Sequence, residues 1–255
     1  MSDAITLTPK GAFSGRVDGR ALAPDRLAGL EVSALAALPL IVEGQGQVRL
    51  GDVCGIGGAN SDRLICEGDW SQVDGLGAGM KSGRLEIHGS AGSDLGVAMQ
   101  GGAILVRGNT GGNAGGAAPG ASKGMTGGEI LVGGNAGRET GARMRRGLIF
   151  VAGTTGEDSG RSMIAGTLVI GGAAGANTGL WNKRGSIVVL GTIDLPATYR
   201  FACRFHPPII PLLLGRLMRV YGARISPGQA GGEYRRYSGD LAESGKGEIL
   251  AWMAA

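Results

Sequence analysis

Apolar residues alternate with other residues in short runs that recur along the middle of the chain, and regularly spaced glycines follow each run. Each copy begins with Met, has Gly three residues later, apolar residues at offsets five and seven, and Gly at offsets nine, twelve and sixteen. A period this strict predicts a stack of equivalent turns. Five copies begin at Met80, Met99, Met125, Met144 and Met163, and a sixth, decaying copy has Asn182 in place of Met.

The length of the repeat limits what each turn can be. The copies follow one another at 19 residues, apart from one step of 26 residues that we assign to an inserted loop at residues 117–122. An alternating apolar run of about five residues is typical of a strand, which excludes leucine-rich and helical repeats. The glycines supply positive φ or close backbone approach at the corners. We therefore predict an all-β fold, a right-handed β-helix whose equivalent residues stack about 4.8 Å apart.

The limits of the repeat divide the chain into three predicted segments. Residues 1–56 carry a short helical candidate at residues 33–38 and two strand-like runs, and we expect them to cap the first turn. Residues 57–195 are expected to form the glycine-rich β-helix. Residues 196–255 are richer in aromatic residues, proline and charge, and we expect an irregular tail that packs on the β-helix or on partner subunits.

Composition indicates the class and compartment of the protein. The 255 residues include 52 glycines, but there is no G-X-Y triplet and 43% of the residues are apolar, which excludes collagen and disorder. The unrelated spacings of Cys54, Cys66 and Cys203 argue against disulfides and indicate a reducing compartment. We recognise no signal peptide, and the most apolar stretch, residues 209–220, is broken by proline and arginine. We therefore expect a soluble, cytoplasmic protein without membrane contact.

We expect neither a catalytic residue nor a metal site in this chain. His88 and His206 are the only histidines, and no HxH, HxxxH or CxxC spacing occurs. The glycine runs lack the strand, helix and acidic partner of a dinucleotide fingerprint.

One column of the repeat, at offset fourteen, is polar in every complete copy. Because Asn and Asp bond their own backbone in tight turns, we favour turn chemistry with amide ladders between turns. The alternative is a cation between Glu139 and Asp158, although Arg138 or Arg161 would neutralise these carboxylates equally well. The column consists of Asp94, Asn113, Glu139, Asp158 and Asn177.

The column at offset six is apolar from the second copy onward, so these strands are apolar on both faces. A strand with one face in water would alternate, and large exposed apolar patches mark interfaces. Either residues 209–217 of the tail or another subunit is expected to cover this outer stripe. The charged Glu86 marks the end of the stripe that is expected to be exposed to solvent. The stripe consists of Glu86, Leu105, Leu131, Phe150, Val169 and Val188.

Basic residues gather near the junctions of the last repeats, and we call them the basic cluster. The simplest interpretation is that these side chains form a solvent-exposed charged surface, and the alternative is that they contact an anionic ligand or partner. The net charge of +4 is modest and only Trp181 adds an aromatic ring, so we expect no nucleic acid. The cluster consists of Arg143, Arg145, Arg146, Arg161, Lys183 and Arg184.

Four motifs of the chain form a recognisable set: Gly77-Ala78-Gly79-Met80, the Met-x-x-Gly-x-Ile-x-Val-x-Gly repeats, Arg143-Met144-Arg145-Arg146-Gly147 and Tyr237-Ser238-Gly239-Asp240. They resemble the glycine-rich β-helix family to which the C subunit of formylmethanofuran dehydrogenase belongs. The same domain occurs in the C-terminal part of the glutamate synthase large chain. The overall composition and Phe205-His206-Pro207-Pro208 look most like the bacterial branch, the C subunit of the formyltransferase/hydrolase complex.

This resemblance implies a role in one-carbon metabolism. Such complexes pass a formyl group between tetrahydromethanopterin and a methanofuran-type carrier, and the bacterial complex releases it as formate. The resemblance implies a non-catalytic scaffold in a hetero-oligomer, beside hydrolase-like and formyltransferase subunits that hold the catalytic centres. The carriers bear glutamate-rich tails, which arginines of the basic cluster suit by bidentate pairing. The alternatives are a stand-alone β-helix acyl or formyl transferase acting at the polar column, and a bridging domain like that of glutamate synthase.

Overall fold

A computed structural model of the chain describes residues 4–253, so residues 1–3 of the predicted cap and 254–255 of the predicted tail lie outside it. The strands are β1 (Ile5–Pro9), β2 (Val17–Asp18), β3 (Pro39–Val42), β4 (Gly46–Arg49), β5 (Cys54–Gly57), β6 (Arg63–Cys66), β7 (Val73–Asp74), β8 (Arg84–Ile87), β9 (Ala103–Val106), β10 (Glu129–Val132), β11 (Leu148–Val151), β12 (Thr167–Ile170), β13 (Ser186–Val189), β14 (Arg200–Phe205), β15 (Tyr234–Gly239) and β16 (Gly247–Trp252). The helices are α1 (Pro24–Leu27), α2 (Val32–Ala36), α3 (Leu50–Val53), α4 (Ile209–Tyr221) and α5 (Pro227–Gly231).

A large mixed sheet dominates the structure and confirms the all-β class. Its twelve strands lie in the order β14-β15-β16-β13-β12-β11-β10-β9-β8-β6-β1-β5, and a second sheet has the order β4-β3-β2-β7. The six strands of the repeats, β8 to β13, run parallel, and equivalent residues pair directly, as Leu85 does with Ile104 and Ile130 with Ile149. The pairs at both ends of the large sheet, β1 with β5 and β14 with β15, are antiparallel.

Successive repeats also pair outside the large sheet. A column of parallel bridges joins Trp70, Ala91, Thr110, Ala136 and Thr155, each to the next. Backbone hydrogen bonds between repeats occur at the corners as well: the amide of Asp94 donates to the carbonyl of Gly112 at 2.8 Å. Each repeat is therefore hydrogen-bonded to its neighbours at several points along its length, and these bonds satisfy backbone groups that would otherwise lack a partner.

The corner glycines are needed for two different reasons, both of which the repeat predicts. Gly128, at offset three, has a φ of +88°, a backbone conformation that residues other than glycine rarely adopt. Gly134, at offset nine, has no such φ, but a Cβ there would lie 2.8 Å from the carbonyl oxygen of Gly108. The first position needs conformational freedom, and the second needs space for the neighbouring turn.

The C-terminal tail is more regular than the sequence analysis predicts. Strand β16 pairs in parallel with β13, and β15 and β14 extend the same sheet. Helix α4 lies on the outer stripe and buries Ile210, Leu214 and Leu217 in a cluster of apolar side chains. The chain's own tail thus covers the stripe from Leu131 onward. The strand residues of this cluster are Leu131, Leu148, Phe150, Val169, Val188, Tyr234 and Leu250, and Leu190 follows the end of β13.

The N-terminal segment contains the short helix that the sequence predicts. Helix α2 covers most of residues 33–38, and strand β3 coincides with one of the two strand-like runs. The other run ends early, because α3 begins at Leu50. No helix within residues 4–253 has the length and apolar composition needed to cross a membrane.

Candidate functional site

A pocket beside the inserted loop brings together residues of the basic cluster and of the polar column at offset fourteen. Its volume is about 400 Å³, and we call it the loop pocket. Arg143 and Arg161 of the basic cluster line it together with Asn113 and Glu139 of the polar column, and Trp181 contributes an aromatic wall. The stacking of repeats therefore places charge from both columns at one surface.

Two arginines of the loop pocket have different surroundings. Arg143 Nη1 donates a hydrogen bond to the carbonyl oxygen of Ala121 at 2.9 Å and so ties the inserted loop to the next repeat. Arg161 Nη1 lies 3.3 Å from Asp158 Oδ2, and its guanidinium carbon lies 4.5 Å from the centroid of the Trp181 ring. Arg161 is held by an ion pair and a cation–π contact, whereas Arg143 presents an exposed guanidinium group.

The residues of the polar column, which are those at offset fourteen of the repeats, have the backbone geometry of tight turns. All five of its residues have φ values between +58° and +61°, the left-handed region that Asn and Asp tolerate best. Asn113 Nδ2 donates to Asp94 Oδ1 at 2.8 Å, which is the amide ladder expected between turns. Arg138 lies 3.5 Å from Glu139, so arginines stand where the sequence analysis also considered a cation. No group of three His, Cys, Asp or Glu side chains that would hold a metal ion occurs among residues 4–253.

The remaining members of the basic cluster lie at a neighbouring corner and do not line the loop pocket. The backbone amide of Arg145 donates to the carbonyl of Met125 and that of Lys183 to Met163, each at 2.8 Å, so the two residues occupy equivalent places two turns apart. Arg145, Arg146 and Arg184 are exposed. Lys183 Nζ lies 3.9 Å from Glu243, a residue of the tail. The structure thus splits the predicted cluster into two groups.

A second and larger cleft, of about 690 Å³, opens where helix α4 ends, and the sequence analysis missed it. We call it the upstream cleft. Leu105, Leu131 and Phe150 of the outer stripe form its floor, and Arg107 and Arg224 stand at its rim. The apolar column predicts a cover from Leu105 onward, with only Glu86 in water, so the sequence pattern gives no sign of this opening. Its other lining residues are Arg84, Glu86, Ile87, His88, Val106, Val132, Gly133, Ala152, Val220, Tyr221, Gly222 and Ala223.

The carboxylates in and beside the upstream cleft are already engaged. Burial raises the pKa of Glu86, but hydrogen bonds from Arg84 and Arg63 outweigh this effect and leave the pKa below its ordinary value. Glu129 is bound by Arg216 and by the hydroxyl of Tyr221. Burial and this bond to Glu129 raise the pKa of Tyr221 to about 12. Glu86 therefore acts as a fixed charge near neutral pH, and the hydroxyl of Tyr221 as a structural hydrogen-bond donor.

The two buried cysteines are not activated as nucleophiles. Burial raises the pKa of the Cys54 thiol to about 11 and raises that of Cys66 still further, which keeps both thiols protonated. Residues 120–124 match the spacing G-x-S-x-G around Ser122, but this serine lies in the inserted loop. A nucleophile elbow requires a strand before the serine and a helix after it, and neither is present there.

Comparison with known proteins gives relatives of one kind, although no family model matches the chain. The C subunits of molybdenum-containing formylmethanofuran dehydrogenase 1 from Methanothermobacter thermautotrophicus and from Methanothermobacter marburgensis are each 34% identical over 94 residues. This match covers 36% of the chain and spans only 23% of the length of those relatives.

A solved structure matches the chain from end to end. It is a chain of the formyltransferase/hydrolase complex from Methylorubrum extorquens, crystallised in complex with methylofuran. The TM-score is 0.82 and the sequence identity 34%, over 98% of this chain and 100% of the other. Together with the motifs of the repeats, these similarities show that the chain belongs to the family of formylmethanofuran dehydrogenase C subunits.

Proposed function

We propose that the chain is a non-catalytic scaffold subunit of a formyltransferase/hydrolase complex in tetrahydromethanopterin- and methanofuran-linked one-carbon metabolism. The observation that carries this proposal is the end-to-end similarity to a chain of such a complex. In this role the chain bridges hydrolase-like and formyltransferase subunits in the cytoplasm, and those subunits hold the catalytic centres.

The proposed architecture is a right-handed β-helix, residues 57–195, with residues 1–56 as its cap and residues 196–255 as a docked tail. The in-register parallel strands and the second column of parallel bridges support it, because a coil with one repeat per turn produces both. Such a coil suits a scaffold, since its length and surface are fixed by backbone pairing.

Exposed apolar residues on the tail support docking of other subunits. Leu212 and Ile209 on the outer side of α4 are 67% and 60% exposed, and Phe201 on the edge strand β14 is 56% exposed. Every residue of β14 from Arg200 to Cys203 is exposed as well. Bare edges and apolar patches of this kind are costly in water and are normally covered in an assembly.

We also propose that part of the basic cluster contacts the glutamate-rich tail of a methanofuran-type carrier. Arg145, Arg146 and Arg184 fit a polycarboxylate, because they are exposed and their guanidinium groups form no ion pair within residues 4–253. Arg143 fits as well, since among residues 4–253 its side chain is bonded to a carbonyl oxygen and to no carboxylate. The fit is poorer at Arg161, which Asp158 already neutralises, and at Lys183, which lies near Glu243. The carrier supplies the formyl group when bound, and these residues only retain its tail.

Purification tests the scaffold role directly. We expect a tagged copy of the chain expressed in its native host to co-purify with formyltransferase and hydrolase-like chains identified by mass spectrometry. The isolated chain is expected to catalyse neither formyl transfer nor hydrolysis. Activity of the isolated chain would support the second candidate, a stand-alone β-helix transferase, and failure to recover partner chains would overturn the scaffold role.

A further inference from the structure

The upstream cleft is the part of the outer stripe that the chain leaves uncovered. Helix α4 fills the rest of the stripe with apolar residues at helical spacing, Ile210, Leu214 and Leu217. The helix stops at Tyr221, and Gly222 follows in the left-handed conformation that ends helices, with a φ of +67°. As a result Leu105 is only half-buried, although the column to which it belongs is buried from Leu131 onward.

The rim of this cleft carries positive charge that the chain does not neutralise. The one carboxylate of the lining, Glu86, accepts hydrogen bonds from both Arg63 and Arg84. The guanidinium groups of Arg107 and Arg224 are exposed, and within residues 4–253 neither has an ion pair or a hydrogen bond. The upstream cleft therefore combines an apolar floor with a cationic rim.

We propose that the upstream cleft binds an acidic amphipathic segment of a partner subunit. Apolar side chains of that segment lie on the half-buried Leu105, and its carboxylates pair with Arg107 and Arg224. This inference rests on the proposed function, because it requires that the chain works within an assembly. An apolar face laid into a groove and oriented by charge pairs at its edge is a common mode of peptide recognition.

Helix α4 shows how the stripe accepts such a segment. Its apolar residues pack on the stripe, and its Arg216 pairs with Glu129, the first residue of β10. The rim of the upstream cleft is cationic instead, so the complementary segment is acidic. A second copy of α4 does not fit, because that helix contains arginines at 216 and 219 and no acidic residue.

Charge reversal in the assembled complex tests the inference. The Arg107→Glu/Arg224→Glu variant is expected to bind the partner subunits about tenfold more weakly or worse at 0.1 M salt, mainly through faster dissociation. The control is Arg49→Glu, an exposed arginine of β4 in the other sheet, which should leave the affinity unchanged. The melting temperature of each isolated variant verifies that the fold is intact.

Photo-crosslinking identifies the occupant. With p-benzoylphenylalanine in place of Leu105, we expect a crosslink to one partner subunit, within a segment that contains Asp or Glu. Wild-type affinity of the double variant, or a crosslink to a segment without carboxylates, would overturn the inference. The inference would also be overturned if the double variant assembled normally but retained less carrier, because the cleft would then be a site for a small carboxylate. If the wild-type chain binds no partner at all, it is the scaffold role that fails.

Discussion

At the scale of single residues, methionine and glycine act as a matched pair between turns. A Cβ at Gly147 would lie 2.7 Å from Met125 Cε, and one at Gly166 would lie 2.6 Å from Met144 Cε. Each methionine therefore fills the space that the glycine of the next turn leaves empty, which is why the two columns recur together. The column of methionines ends at Asn182: its buried amide donates to the carbonyl of Gly185 at 2.9 Å and accepts from its N–H at 2.7 Å.

Replacing Gly134 by Val should destabilise the chain by about 1–3 kcal/mol, because the new side chain would overpack a close approach of two turns. The measurement is the urea midpoint of the isolated protein. Gly11→Val is the matched control, since a Cβ at Gly11 meets nothing within 4 Å. Equal midpoints for both variants would show that the close approach at Gly134 carries no energetic cost.

The lowered pKa of Glu86 predicts how the free energy of unfolding depends on pH in acid. Its pKa is lower in the folded chain than its ordinary value of 4.5, so its contribution to stability is complete above that pH and is lost as the pH falls through the folded pKa. We expect the free energy of unfolding of Glu86→Gln to vary less below pH 4.5 than that of the wild type. Glu43→Gln, a change at an exposed carboxylate, should leave the wild-type profile intact.

At the scale of elements, α4 shows what the sequence pattern predicts and what it does not. The repeat predicts the parallel strands and the need for a cover over Phe150, because both follow from alternation within 19 residues. It does not predict that β16 joins β13, since this pairing connects residues about sixty positions apart and belongs to no repeat. The upstream cleft escaped prediction for the same reason: Arg107 and Arg224 come together only through the docking of the tail.

Docking of α4 can be measured with one pair of leucines. Leu214→Ala should lower the free energy of unfolding by about 2–5 kcal/mol, because it leaves a cavity between helix and sheet. Leu212→Ala on the same helix should change it by less than about 0.5 kcal/mol, since Leu212 is 67% exposed. The two variants are compared by chemical denaturation of the isolated protein. A tail that is merely loosely attached would give similar small effects at both positions.

At the scale of the whole molecule, the in-register pairing of the repeats determines where charge collects. The loop pocket and the neighbouring corner collect arginines from the ends of the repeats, whereas the upstream cleft takes Arg107 from the end of β9 and Arg224 from the tail. The two basic surfaces thus have separate origins and are assigned separate ligands, the carrier tail and a partner subunit. Changes at one surface should therefore leave the function of the other intact.

The corner with Arg145 and Arg146 gives the last prediction, made for the assembled complex. Each exposed ion pair contributes only about 0–1 kcal/mol, so a single arginine matters little and several together are needed. Arg145→Glu/Arg146→Glu should weaken retention of the glutamate-tailed carrier, most clearly at low salt, because exposed charges are screened beyond about 10 Å at 0.1 M. The assembly of the complex should survive.

The measurement is the amount of carrier that stays bound to the complex after gel filtration. The control is Lys10→Glu/Arg49→Glu, which makes the same change in net charge within the N-terminal segment. Normal retention by the first variant at low ionic strength would identify the corner as a solvated face, and loss of assembly would identify it as a docking surface for another protein of the complex.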